Sequence, residues 1–496
     1  MEERSLLDQN PWWKDVNAIE SDKHILDLKR SRIKWHPRMM EYFDWNEDLV
    51  YTIRGPRQVG KTTTIKMIIR NKLLEKKIKP FNIFYFSMDL LDTKEQFMDL
   101  IVSYEELSKR FSNGERKYLF LDEITNVSDW ERVIKILSDQ GRTRNRTIVL
   151  TGSHSIDIGR SLERLPGRRG EGSELVLDKI FMPMKFREYA NLLLRRDGHK
   201  LEYFFNNPAS VRMETVQKLL HGTIPDEIKE ISLFEGDSLK TLFENYLITG
   251  GLPRPISVFK ENSTIQDDIY GIYVRSVMGD ISGFGLSDNI TKQIIRSVIG
   301  KMTSKISNNS IAKENEIGSH NTVQKYLESL ERSFVLNTFY QVDLHKNRIK
   351  ARSEKKVYIS DPFIYHSLRG WAFGINNLFR ESVDHLADSD TKGKIVEMVI
   401  SNHLIRMAYS LAPSDLFSHH EKVLFWRKKG SEKEVDFLSL MKDEVIPVEV
   451  KYSEKIRDNE LSGIKSFGKG LVITKDKLEI RRKLVFVPAH IFLLLI

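Results

Sequence analysis

Short apolar runs alternate with helical periodicity through the first third of the chain. LVYTI at 49–53 is a β-rich run, and in the TTTIKMIIRNKLLEKK beyond the next loop Ile65, Ile68, Ile69 and Leu73 recur at helical spacing. Tyr118 to Leu121 in KYLFLDEI form another apolar strand, and RTIVLTGS (146–153) a third. Strands separated by helical stretches predict an α/β domain built on a parallel sheet.

The pattern then changes. From Met184 to about Arg254 it is mostly helical, with FREYANLLLRR and SLKTLFENYLITG, and it closes on the breaker GGLPRP. Within ISNNSIAKENEIGSHNTVQKYLESLERSFVL the spacing predicts a short helix at 310–316 that stops at Gly318. A second helix follows, capped by Ser319 or Asn321, with Val323, Leu327 and Leu330 facing inward. That is helix-turn-helix spacing. FVLNTFYQVDL reads as a strand, HKNRIKARSEKK (345–356) as a wing, and VYISD as the returning strand. The last part opens on an amphipathic helix, GKIVEMVISNHLI (393–405), followed by strands at 423–427, 434–440 and 445–451.

At 496 residues the chain is too long for one core and suggests roughly three or four domains. Its 40% hydrophobic residues suffice to bury them. With 78 basic against 69 acidic residues the net charge is +9, a mild excess that suits a polyanionic partner without demanding one. The absence of cysteine excludes disulfides, thiolate zinc sites and a cysteine nucleophile, and fits a cytoplasmic protein. No segment reads as membrane-inserted: the longest aliphatic or aromatic run, IFLLLI at 491–496, is far too short to span a bilayer.

The loop between the first strand and helix carries the clearest chemistry. Gly55, Pro56, Arg57, Gln58, Val59, Gly60, Lys61, Thr62 and Thr63 fit the pattern G-x-x-x-x-G-K-[ST] in the strand–loop–helix context it requires. Backbone N–H groups there can cradle the phosphates of ATP, Lys61 can reach the β and γ phosphates, and Thr62 can hold Mg²⁺. Asp122 and Glu123, at the end of the 118–121 strand, suit Mg²⁺ binding and the polarising of a water. At the end of the third strand Ser153, with Thr151 in reserve, is the candidate sensor of the γ phosphate.

Together with NPWW near the start, IKWHP at 33–37, LFLDEITNVSDWERVIKIL, VLTGS, LPGRRG and MPMKFREY, these stretches resemble an AAA+-type P-loop ATPase family of archaea and bacteria. The Asp129-Trp130 pair stands at that family's distance from the acidic strand. The resemblance implies an ATPase core over 1–182, a helical lid over 183–284, a winged helix over 285–362 and a nuclease-like domain over 363–496. It also implies that Gly167-Arg168 could be an arginine-finger element, catalytic in a neighbouring subunit. It admits a homo-oligomer, although no residue fixes a ring over a monomer.

Six basic residues against one acid, Glu354, lie between Lys346 and Lys356, a concentration that suits DNA phosphates. A winged helix can equally dock protein, and both readings stay open. In the C-terminal part Glu397 lies on the helix, Asp436 on the second strand, and Glu449 and Lys451 on one face of the third. The scheme resembles PD-(D/E)XK nucleases, in which two carboxylates, here Asp436 and Glu449, hold Mg²⁺ and a lysine activates water. A VEVK strand is also an ordinary solvated edge, and such a fold can be catalytically idle.

Overall fold

A computed structural model describes residues 3–496 except 113, 153–164, 166, 171–175, 195–200, 345, 347, 351–353, 416, 432 and 442–443. The chain divides into two compact units: Met1–Met182 with Ser414–Leu416, and Pro183–Pro413 with Phe417–Ile496.

The first unit is built on five parallel strands: β1 (Val50–Arg54), β2 (Ile83–Ser87), β3 (Lys117–Asp122), β4 (Arg146–Gly152) and β5 (Asp178–Ile180). Their spatial order is β2-β3-β4-β1-β5. Near-continuous burial along β1 to β4 is what a parallel sheet covered on both faces requires.

β2 lies at an edge, where unpaired backbone groups would invite another strand. NPWW answers that liability. The Asn10 amide donates to Tyr85 O at 2.9 Å and its oxygen accepts from Tyr85 N at 2.7 Å, so one side chain closes a strand-like pair of bonds. Gln9 accepts from Ser87 N at 2.7 Å, and the Trp12 and Trp13 indoles both donate to Ile83 O. Trp12 is completely buried.

In the second unit residues 183–284, expected as a lid over the nucleotide, are helical wherever they form elements and cluster with the C-terminal half. Asp226–Thr249 and Ala209–Leu220 pack against Ala489–Leu495, the helix made by the terminal aliphatic run. Its Leu495 carbonyl, left over at the helix end, accepts from the buried Arg212 at 3.0 Å.

Two helices, Asn308–Glu314 and His320–Arg332, follow the predicted spacing, each started by a serine cap, Ser307 and Ser319. Val323, Leu327 and Leu330 are buried as the periodicity requires. Then β6 (Leu336–Tyr340) pairs antiparallel with β9 (Lys355–Ile359), and the short hairpin of β7 (Val342–Asp343) and β8 (Arg348–Ile349) lies between them in sequence. Ile306 bridges to the other side of Lys355.

The C-terminal sheet has six strands: β10 (Val423–Arg427), β11 (Glu434–Met441), β12 (Glu444–Lys451), β13 (Gly470–Thr474), β14 (Glu479–Arg481) and β15 (Leu484–Pro488), in the order β10-β11-β12-β13-β15-β14. The long helix Ser389–Leu411 packs across β10, β11 and β12. Among the described residues no helix is long and apolar enough to cross a membrane.

Candidate active sites

The glycines of the first loop have separate jobs. Gly60 holds φ +106°, a left-handed conformation that directs the chain into the helix Lys61–Arg70. At Gly55 a Cβ would lie 2.0 Å from the carbonyl oxygen of Phe181, whose N–H donates to Arg54 O at 2.7 Å. Gly55 therefore makes room for the chain leaving β5. Val59 is buried as a wedge, and Arg57 and Gln58 are exposed at the loop tip, Gln58 at φ +62°.

Lys61 is buried, and its ammonium donates to the carbonyls of Gly55 at 2.9 Å and Pro56 at 3.1 Å. The Thr62 hydroxyl donates to Asp122 Oδ2 at 2.7 Å, and Tyr85 donates to the same oxygen at 3.2 Å. Thr63 reaches His24 Nδ1 at 3.5 Å. Thr151 donates to Asp122 Oδ1 and accepts from Glu123 N at 3.1 Å, so the reserve residue is the hydroxyl held at the acidic pair. Ser153 lies outside the described residues. Glu123 sits half-buried at φ +54°. The donor set of hydroxyl and carboxylate oxygens beside a lysine suits Mg²⁺ and phosphate. Tyr85 gave no signal in the sequence beyond its place on an apolar strand.

Within LPGRRG the two arginines differ. Arg169 is buried, donating to Val50 O at 3.1 Å and Thr52 Oγ1 at 3.2 Å, and so braces β1. Arg168 is partly exposed and pairs with Asp139 at 2.7 Å.

In the second unit the antiparallel register that sets Phe437 opposite Val448 carries Asp436 to face Glu449. Asp436 N–H donates to Glu449 Oε2 at 3.4 Å, Asp436 Oδ2 accepts from Val450 N at 2.9 Å, and Lys451 donates to Glu449 Oε1 at 2.7 Å. Glu397 comes from the helix and meets the strands through Lys356, a residue of the expected basic wing. Lys356 Nζ lies 3.0 Å from Asp436, 2.9 Å from Glu434 and 3.5 Å from Glu397, and Tyr358 donates to Glu397 at 2.5 Å.

This corrects the expected basic wing. Lys355 and Lys356 are buried on β9, and Lys356 is an interior cation among three carboxylates. Arg352 lies outside the described residues, while Lys346 and Arg348 are exposed and Lys350 half-buried, 3.8 Å from Asp343. Strand alternation in KKVYI places Lys356 and Tyr358 on one face, which was the available signal; the surrounding run of basic residues masked it.

Charge follows burial and neighbours. Burial, then the Asp436 charge, pushes the Glu397 carboxyl up to about 7, and the same causes raise Glu449. Burial also works against ionised Asp436, but Lys356 and Lys451 outweigh it and hold that carboxylate below its usual range. Lys356 keeps its charge: burial opposes it, and the surrounding carboxylates of Asp436, Glu397 and Glu434 more than compensate.

Residues 47–190, which contain the loop, the acidic strand and the third strand, match the family model of an AAA domain. Residues 47–190 are an AAA domain. Downstream of the AAA domain, 240–373 and 392–492 match two models described as domains of unknown function, DUF8612 and DUF4143. An uncharacterized protein of Methanocaldococcus jannaschii, MJ1637, is 25% identical over 458 residues, 90% of this chain and 84% of its own. One from Haemophilus influenzae is 24% identical over 432 residues, 85% and 86% of the two chains. Among solved structures, the Walker-type ATPase PABY2304 of Pyrococcus abyssi is similar at 12% identity and TM-score 0.40, over 68% of this chain and 97% of that one. Aeropyrum pernix ORC1 in complex with DNA is similar at 12% identity and TM-score 0.29, over 74% and 98%.

Proposed function

We propose that the protein is a Mg²⁺-dependent ATPase that binds DNA, with nucleotide state controlling its C-terminal half. The observation that carries the ATPase reading is the Thr62 hydroxyl held on Asp122 at 2.7 Å beside the buried Lys61. Lys61 would exchange the Gly55 and Pro56 carbonyls for phosphate oxygens. Thr62 and Asp122 would hold Mg²⁺, which when bound neutralises phosphate charge. Glu123, next to Asp122 and tied through its N–H to Thr151, would orient the attacking water and take its proton. The expected result is that Lys61→Ala loses retention of radiolabelled ATP, while Glu123→Gln retains ATP and turns over about 10²- to 10⁴-fold more slowly. Unchanged ATP retention in Lys61→Ala would overturn the reading.

DNA would meet the helix His320–Arg332 and the hairpin residues Lys346, Arg348 and Lys350, a winged-helix arrangement. For the nuclease-like domain a specific observation favours the quieter of two readings. Lys356, an interior ammonium, already neutralises Asp436 and Glu397, so the site is a closed ionic core and phosphodiester cleavage at Glu397, Asp436, Glu449 and Lys451 would require Lys356 to be displaced. The reading is therefore of a nucleotide-switched DNA-binding protein whose acidic centre rests shut.

A further inference from the structure

The helix His320–Arg332 ends beside the short turn His419–Glu421, and three metal-ligating side chains meet there. His419 Nε2 lies 3.3 Å from Glu331 Oε1, and His420 Nε2 lies 3.6 Å from Glu331 Oε2. One ligand atom from each of the three falls within 4.8 Å of the others. Donors bound to zinc at about 2.0–2.1 Å in tetrahedral geometry stand about 3.3 Å apart, so small side-chain rotations suffice to close the set on one ion.

The supporting contacts have the form that metal ligands need. One residue, Thr338 on β6, orients two of the three with its backbone. Its N–H donates to Glu331 Oε1 at 2.7 Å, and its carbonyl lies 3.2 Å from His420 Nδ1. A proton on that Nδ1 leaves Nε2 with its lone pair facing the carboxylate, the tautomer a ligand must have. The same carbonyl is 3.0 Å from His419 Nε2 and accepts that nitrogen's proton, which zinc would displace; the carbonyl or a water can then fill the fourth place. The side chains are 13%, 17% and 31% exposed for His419, Glu331 and His420, held firmly yet reachable from solvent.

We propose that Glu331, His419 and His420 form a structural zinc site that pins the end of the helix His320–Arg332 to the turn preceding β10. Two imidazoles and one carboxylate select a borderline ion such as Zn²⁺ over Mg²⁺, which favours all-oxygen ligands. The site is separate from both acidic centres and uses no cysteine.

The full-length chain, without a histidine tag, is stripped with EDTA and titrated with ZnCl₂, and separately with CoCl₂, in ADP and Mg²⁺. One zinc retained per chain, tetrahedral cobalt absorption bands and a raised thermal midpoint are expected. His419→Ala/His420→Ala, still binding ADP, should weaken zinc by about 100-fold or more, and Glu331→Gln should weaken it less. Equal zinc retention by the parent and the double variant would overturn the site, as would a parent that keeps no zinc and shows only octahedral cobalt. If the double variant does not fold, the parent's cobalt spectrum and Glu331→Gln decide the matter alone.

Discussion

Replacing Lys356 with methionine tests whether its ammonium takes a place that a divalent ion could fill. The substitution keeps length and apolar volume but leaves Glu397, Glu434 and Asp436 facing one another without the cation that now lies 2.9 to 3.5 Å from each. Breaking a buried ion pair by removing one partner costs about 3–5 kcal/mol. In a domain of this size roughly 2–4 °C is lost per kcal/mol, so the thermal midpoint of the second unit should fall on the order of 10 °C in EDTA. A divalent ion at 100 times its dissociation constant restores about 2.7 kcal/mol, more than half the loss. Scanning calorimetry at pH 8 in EDTA and in Mn²⁺ would therefore show strong rescue of Lys356→Met and little change in the parent. Adding Asp436→Asn should abolish the rescue. The reasoning fails if Lys356→Met melts within about 2 °C of the parent, or if Mn²⁺ raises both proteins equally.

Three further substitutions have outcomes set by their surroundings. Glu397 titrates near 7 in the fold against 4.5 as an ordinary glutamate, so between those values the native chain keeps a proton that the unfolded chain has lost. Its contribution to stability is present below pH 4.5 and falls by about 3 kcal/mol as pH rises through 7. Glu397→Gln removes that slope, and in EDTA its urea midpoint should gain on the parent's from pH 4.5 to 8; a constant difference would contradict the burial argument. Arg169→Ala should destabilise the AAA domain by about 1–3 kcal/mol because it removes the buried donor to Val50 O and Thr52 Oγ1. Arg168→Ala breaks a partly exposed pair with Asp139, for about 1 kcal/mol at most. A trans-acting arginine finger would show as a large loss of turnover in Arg168→Ala with an unmoved melting point.

The features legible in the sequence were those whose chemistry is local. Lys61 and Thr62 follow a glycine loop within a few residues, and β10, β11 and β12 appear within a residue of the apolar runs that predicted them. Period-two alternation was enough to set Glu449 and Lys451 on one face. What escaped depends on contacts between distant segments. Lys356 reads as one of six basic neighbours until β9 folds beside β11, 80 residues on. Arg169 looks like its neighbour Arg168, and only the return of that loop along β1 separates a brace from a surface charge. The helices between Met184 and about Arg254 were recognisable as helices, but nothing in their periodicity says which half of the chain they cover.

The pairing of Asn10 with Tyr85 changes where the AAA domain begins as a physical object. The family match starts at residue 47, yet the outermost strand of its sheet is sealed by residues 9–13. A fragment cut to the matched span would keep the whole phosphate-binding loop and expose a bare row of amides and carbonyls along β2. Its natural fate is strand-to-strand self-association, so nucleotide affinities measured on such a fragment would describe an aggregate rather than the full-length chain.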